Sequence, residues 1–171
     1  DYNVTKENTI GLGISDKAFF SQSVDYIEKI SKEHDKFYGT LITLTNHTPF
    51  SEVDKYGEFD VNIKESVTNE DGTVTDVTYP YMEGTKLGNY FKSVHYADEA
   101  LDEFINKLDE KGLLDNTVVV IYGDHDARLP KKDYNRLYNY DKTTDSVKDE
   151  DSEGYVNFDS YQYELNGKVP F

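Results

Sequence analysis

Apolar side chains recur at three- and four-residue steps across residues 15–34, at Phe20, Val24, Ile27 and Ile30. That spacing is the stripe of an amphipathic helix, with Ser15 or Asp16 placed to cap its first turn. The period then changes. Residues 37–44 form a short, nearly continuous apolar and β-branched run, the pattern of a strand covered on both faces, and it ends in the polar loop Thr45, Asn46, His47, Thr48 and Pro49. Residues 51–81 are more polar, and Asp71-Gly72 separates two Val- and Thr-containing stretches, which predicts an inserted β-hairpin. A second helical stripe follows at Leu87, Phe91, Val94, Leu101, Phe104 and Leu108, closed by Lys111-Gly112. Residues 117–122 are β-branched almost throughout, predicting a central strand that runs into Gly123, Asp124, His125 and Asp126. The order strand, helix, strand implies a right-handed crossover and parallel pairing. Beyond Arg128 the composition shifts to Tyr, Asp, Lys and Ser; residues 141–154 read as a mobile loop, and Asn166-Gly167 predicts a last hairpin. The expected class is α/β: parallel central strands flanked by helices, with an inserted β-hairpin.

Length and composition narrow the picture. At 171 residues with 36% hydrophobic content, one domain spanning residues 1–171 with a modest core is expected. Acidic side chains outnumber basic ones 34 to 18, a formal charge of −16 that repels nucleic acid. A phosphate ester is still an accessible substrate if a bound cation and a few placed basic groups reverse the local potential. The chain has no cysteine, so any metal must use carboxylate, imidazole, hydroxyl or carbonyl donors. No apolar run approaches the roughly 20 residues that span a bilayer, and residues 1–9 lack the pattern of a signal peptide. The termini read as those of an excised piece.

Candidate chemistry lies at the carboxyl ends of the two predicted strands, where ligands collect in open α/β sheets. One end carries His47 and the other Asp124-His125. Gly123 permits a sharp turn, after which a carboxylate and an imidazole can face one ion. Alone, an Asp-His pair fits a turn cap beside a surface histidine better than a metal site, and His47 fits a loop histidine bonding the backbone near Pro49 as well as a substrate contact. His34 ends a helix and His95 borders a helix's polar side, so both read as structural or solvent-facing. Arg128, Lys131 and Lys132 fit either a solvated helix start or a screen for substrate phosphate.

Residues 117–125, residues 41–50, Gly11-Leu12-Gly13-Ile14-Ser15-Asp16 with Phe19-Phe20, and residues 95–101 occur in the order found in lipoteichoic acid synthase-type phosphoglycerol transferases of the sulfatase/alkaline phosphatase superfamily. The resemblance covers roughly residues 11–128. It implies that this chain is the carboxyl-terminal portion of an extracellular catalytic domain whose full protein is membrane-anchored at the outer face of the cell membrane. Asp124 and His125 are implied ligands of one divalent cation, manganese first, with magnesium or zinc as alternatives. His47 is implied to contact the phosphate or glycerol of an anionic glycerolphosphate lipid. The implied reaction moves glycerolphosphate from phosphatidylglycerol onto a growing lipoteichoic acid-type polymer. Its threonine nucleophile and a further acidic ligand belong to an earlier segment that nothing here matches, so the isolated chain is expected to be inactive. The family's Trp-Asn-Arg element is also absent, and Asp126 stands where relatives often carry Gly or Tyr. Two other readings remain open: a sulfatase or phosphodiesterase using water as acceptor, and a noncatalytic cell-surface interaction domain built on the Tyr-rich carboxyl-terminal segment.

Overall fold

In a computed structural model that describes residues 1–159, Ser15 is the N-cap of α1 (Asp16–Glu33), its side chain accepting from the Ala18 N–H at 3.4 Å. Upstream, β1 (Thr9–Ile10) and β2 (Gly13–Ile14) pair antiparallel about Gly11, whose φ of 61° suits a residue without Cβ. The predicted hairpin forms as β3 (Ile63–Thr68) and β4 (Val74–Tyr79), in register from Ile63 opposite Tyr79 to Thr68 opposite Val74. Asp71 shapes its turn by accepting from the Thr73 N–H at 3.0 Å. Before it, a short 3₁₀ turn spans Val53–Lys55.

The second stripe forms α2 (Lys86–Glu110), N-capped by Thr85. Its end is a Schellman closure: Leu113 N–H donates to Leu108 C=O at 2.9 Å, Gly112 N–H to Asp109 C=O at 2.8 Å, and Gly112 has φ 65°. Helices α1 and α2 pack through Phe20, Val24, Ala100, Phe104 and Leu108, with Leu41, Leu113 and Leu114 at the margin. A smaller cluster joins Ile10, Tyr56 and Tyr96, and a third joins Val61, Met82 and Leu87 beneath Leu129, Tyr134 and Leu137. Arg128, Lys131 and Lys132 are exposed, and Lys131 opens α3 (Lys131–Asn139), the helix start that was one of the two readings of this basic cluster.

Two expectations differ from the structure. Residues 37–44 and 117–122 enter no hydrogen-bonded ladder among the described residues; the sheets present are three antiparallel two-stranded pairs. The parallel pairing inferred from strand, helix, strand is therefore not formed here. Val118 is 89% exposed and Tyr38 91%, so these runs have the composition of buried strands without the neighbours that would bury them.

The second difference is residues 141–154, read as a mobile loop. Their start is ordered as β5 (Tyr140–Asp141) and β6 (Ser146–Val147). Asp141 accepts from the Thr143 N–H at 2.9 Å, and buried Asn139 donates to Val156 C=O at 2.8 Å while accepting from Val156 N–H at 2.6 Å. One side-chain amide thus stands in for a strand residue, which composition does not reveal. The hairpin predicted at Asn166-Gly167 lies outside the described residues.

Candidate active site

The loop carrying His47 is fixed at both ends by the helices beneath it. At its start, the buried Asp16 carboxylate accepts from Thr45 N–H at 3.1 Å and Leu44 N–H at 3.3 Å, and the Thr45 hydroxyl accepts from Asp16 N–H at 2.9 Å. At its end, Phe50 is 1% exposed, its ring 5.3 Å from that of Tyr90 and its carbonyl accepting from Asn89 Nδ2 at 3.2 Å. The Thr48–Pro49 peptide is cis. Between these anchors His47 N–H donates to Leu44 C=O at 3.1 Å, closing a turn that leaves the imidazole half-buried.

The second loop is shaped by Asp126, whose Oδ2 accepts from the Arg128 N–H at 3.1 Å, and Leu129 beyond it packs on the Met82 cluster. Asp126 therefore acts as a turn former. His125 and Asp124 precede it with side chains 49% and 73% exposed and Asp124 Oδ1 3.7 Å from His125 Nε2.

The two loops meet. The His47 and His125 rings lie edge to face with centroids 5.7 Å apart. In each, Nδ1 sits 2.8 Å from the carbonyl of the next residue, Thr48 for His47 and Asp126 for His125. A carbonyl only accepts, so Nδ1 carries the proton in both neutral rings and Nε2 keeps its lone pair. A carbonyl holding the distal N–H while the other nitrogen stays free is how proteins orient imidazole ligands.

The electrostatic setting is built by packing. Burial pushes the Tyr56 phenol up, with the Glu52 and Asp16 carboxylates adding to the shift, and burial does the same to Tyr96, whose ring is 6.1 Å from that of Tyr56. Both phenols stay neutral behind the Asp16 anchor. The Asn46 side-chain oxygen is buried without a hydrogen-bond partner in the described structure. Thr45, 2% exposed with its hydroxyl holding Asp16 N–H, is a structural residue and no nucleophile.

Asp124 and His125 together offer one carboxylate and one imidazole, a donor set suited to a hard or borderline divalent cation. Among the described residues no group of three or more His, Cys, Asp or Glu converges, so these residues fit part of a metal shell and not a whole one. His34 is exposed at the end of α1, and His95 stacks on Phe59 at 4.6 Å beside Glu99, so neither joins the site. A cleft of about 400 Å³ lined by Lys86, Lys132, Asp133 and Arg136 includes none of His47, Asp124 or His125. The sequence reading missed Asp16 and Phe50 as anchors; an Asp straight after a helix cap was visible, but its partners across the fold were not.

The family described as Sulfatase matches residues 1–151. Lipoteichoic acid synthase 1 of Bacillus subtilis (strain 168) is 39% identical over 126 residues, covering 74% of this chain and 16% of that protein. Lipoteichoic acid synthase of Staphylococcus aureus (strain USA300) is 41% identical over 124 residues, covering 72% and 16%. The crystal structure of the lipoteichoic acid synthase LtaP from Listeria monocytogenes superposes with a TM-score of 0.57 at 32% identity, over 88% of this chain and 33% of that one. The chain thus spans 16% of the length of these curated relatives. The likeness to LtaP and the mixture of helices with small antiparallel sheets make the fold that of a partial α/β sulfatase-like domain. The chain belongs to the sulfatase family, and the relatives it resembles there are lipoteichoic acid synthases.

Proposed function

We propose that residues 1–171 form the carboxyl-terminal portion of a catalytic domain that transfers glycerolphosphate from phosphatidylglycerol to a growing lipoteichoic acid-type polymer. In this reading the whole protein is membrane-anchored and works at the extracellular face of the cell membrane. The observation that carries it is the 5.7 Å approach of His47 and His125, each held at Nδ1 by a backbone carbonyl, with Asp124 Oδ1 3.7 Å from His125 Nε2. Relatives at 39–41% identity that are lipoteichoic acid synthases favour transfer over hydrolysis.

Asp124 and His125 are the residues that hold the divalent cation, manganese first, with magnesium and zinc as alternatives. Bound there, it supplies a Lewis acid that lowers the pKa of a hydroxyl and offsets phosphoryl charge. His47 has a different role. With Nδ1–H held by Thr48 C=O, its Nε2 accepts from a glycerol hydroxyl, or donates to a phosphoryl oxygen once protonated. Asp126 keeps the second loop in shape through Arg128 N–H. The threonine nucleophile that the resemblance implies belongs to an earlier segment that no stretch of this chain matches. The nucleophile then comes from polypeptide beyond these residues, and the exposed apolar side chains of the runs at 37–44 and 117–122 are the surface that this polypeptide covers.

The test is transfer of labelled glycerolphosphate from phosphatidylglycerol vesicles by the whole protein bearing this chain, with manganese present. Asp124→Ala and His125→Ala are expected to abolish product and His47→Ala to raise KM. A lengthening lipid-linked polymer supports transfer. Free glycerolphosphate as the sole product, or full activity in the Asp124 and His125 variants, overturns the reading.

A further inference from the structure

The His47 loop is tied to the start of α1 by Asp16, the residue that follows the Ser15 N-cap. A helix N-terminus needs acceptors for its own N–H groups, yet the Asp16 carboxylate is directed the other way, to Leu44 N–H at 3.3 Å and Thr45 N–H at 3.1 Å. The return bond runs from Asp16 N–H to the Thr45 hydroxyl at 2.9 Å. Both residues are essentially excluded from solvent, at 1% and 2%. A buried carboxylate is tolerated only where hydrogen bonds replace its water, and here the donors are backbone groups at the start of the loop that carries His47. Leu44 is held twice, its N–H by Asp16 and its C=O by His47 N–H at 3.1 Å. A shift of the Asp16 carboxylate therefore moves Leu44, and Leu44 moves the His47 backbone.

We propose that Asp16 is a positioning residue for the reaction: it sets the place of the His47 imidazole opposite His125 through Thr45 and Leu44, without touching substrate. This rests on the reading of His47 as a substrate contact. Thr45 is the second half of the clamp. Displacement of a substrate-contacting group by about 1 Å costs on the order of 100-fold in rate, so a clamp of this kind is read out in catalysis as well as in folding.

The experiment is a double-mutant cycle on the whole protein bearing this chain, assayed for glycerolphosphate transfer from phosphatidylglycerol vesicles with manganese, below the melting temperature of every variant. Asp16→Ala is expected to lower kcat/KM by about 10–100-fold. Asp16→Asn is expected to recover most of it, because its amide oxygen accepts from the same two N–H groups. In a His47→Ala background Asp16→Ala is expected to add nothing. Amide exchange at Leu44 and Thr45 is expected to quicken in Asp16→Ala, an observation independent of turnover. Thr45→Val, near-isosteric, carries the same cycle if Asp16→Ala does not fold. Multiplying losses from Asp16→Ala and His47→Ala overturn the proposal, as does unchanged kcat/KM in Asp16→Ala when His47→Ala is impaired. Full turnover in His47→Ala is a different failure: it removes the role of His47 itself and this proposal with it.

Discussion

Phe20 of α1 and Phe104 of α2 stack with ring centroids 4.6 Å apart and planes 18° from parallel, at the centre of the largest apolar cluster. Both are buried. Phe104→Ala leaves Phe20 facing a void between the two helices, and the expected cost is about 3–5 kcal/mol. Urea unfolding followed by circular dichroism measures it; a loss below about 1 kcal/mol, as at a surface site, would mean that this pair does not hold the helices together.

Gly88 makes a sharper claim about shape. A Cβ there would lie 2.1 Å from the Met82 carbonyl oxygen, which already accepts from Thr85 N–H at 3.2 Å and from the Thr85 hydroxyl at 2.8 Å. Alanine is the better helix former by about 0.8–1.0 kcal/mol, but the contact is with backbone and overpacking costs about 1–3 kcal/mol. Gly88→Ala is therefore expected to lower the urea midpoint. An increase would show that the turn at Met82 yields freely.

Acid should loosen the far end of the helix pair. The Lys111 and Lys32 ammonium groups beside Glu28 hold its carboxyl down to about 2, against an ordinary value of 4.5. A folded pKa below the unfolded one means the tie is complete above pH 4.5 and fades as pH falls toward 2. Glu28→Gln is expected to flatten the decline of stability across that window, with the difference from the parent chain vanishing at its acid end. Because the pair is exposed, salt at about 1 M should shrink the difference. A midpoint against pH unchanged by Glu28→Gln would remove the tie from the account.

The exposed run at 117–122 has consequences for association. Val118, Val120 and Ile121 are 89%, 56% and 56% exposed, and an unpaired β-branched segment is a template for pairing between chains. The formal charge of −16 opposes that contact and salt screens it. The chain alone is expected to self-associate as salt rises, and Val118→Lys with Val120→Lys to suppress it, by sedimentation velocity. A strictly monomeric chain in high salt would mean the run is covered in another way.

Much of this architecture was readable from residue order. The stripes at Phe20, Val24 and Phe104, Leu108, the cap at Ser15, the stop at Gly112 and the turn at Asp71-Gly72 are local signals, and each element formed where its signal lies. Pairing of residues 37–44 with 117–122 depends on neighbours that no local pattern supplies, and no ladder formed among the described residues. The meeting of His47 with His125 was inferred from the two loops following the two apolar runs, and their rings do meet. What the sequence could not disclose were long-range polar ties of single atoms: Asp16 to Thr45, Asn139 to Val156, and the carbonyls that leave each imidazole Nε2 open.

The most direct test uses the four histidines as internal probes. Imidazole proton resonances of the chain are recorded during titration with manganese, whose paramagnetism broadens nearby nuclei even when binding is weak, as two protein donors imply. Signals of His47 and His125 are expected to broaden together and first, ahead of His34 and His95, with Asp124→Ala abolishing the preference. Equal broadening of all four, or broadening led by His34 or His95, would contradict a shared cation site at Asp124 and His125 with His47 beside it.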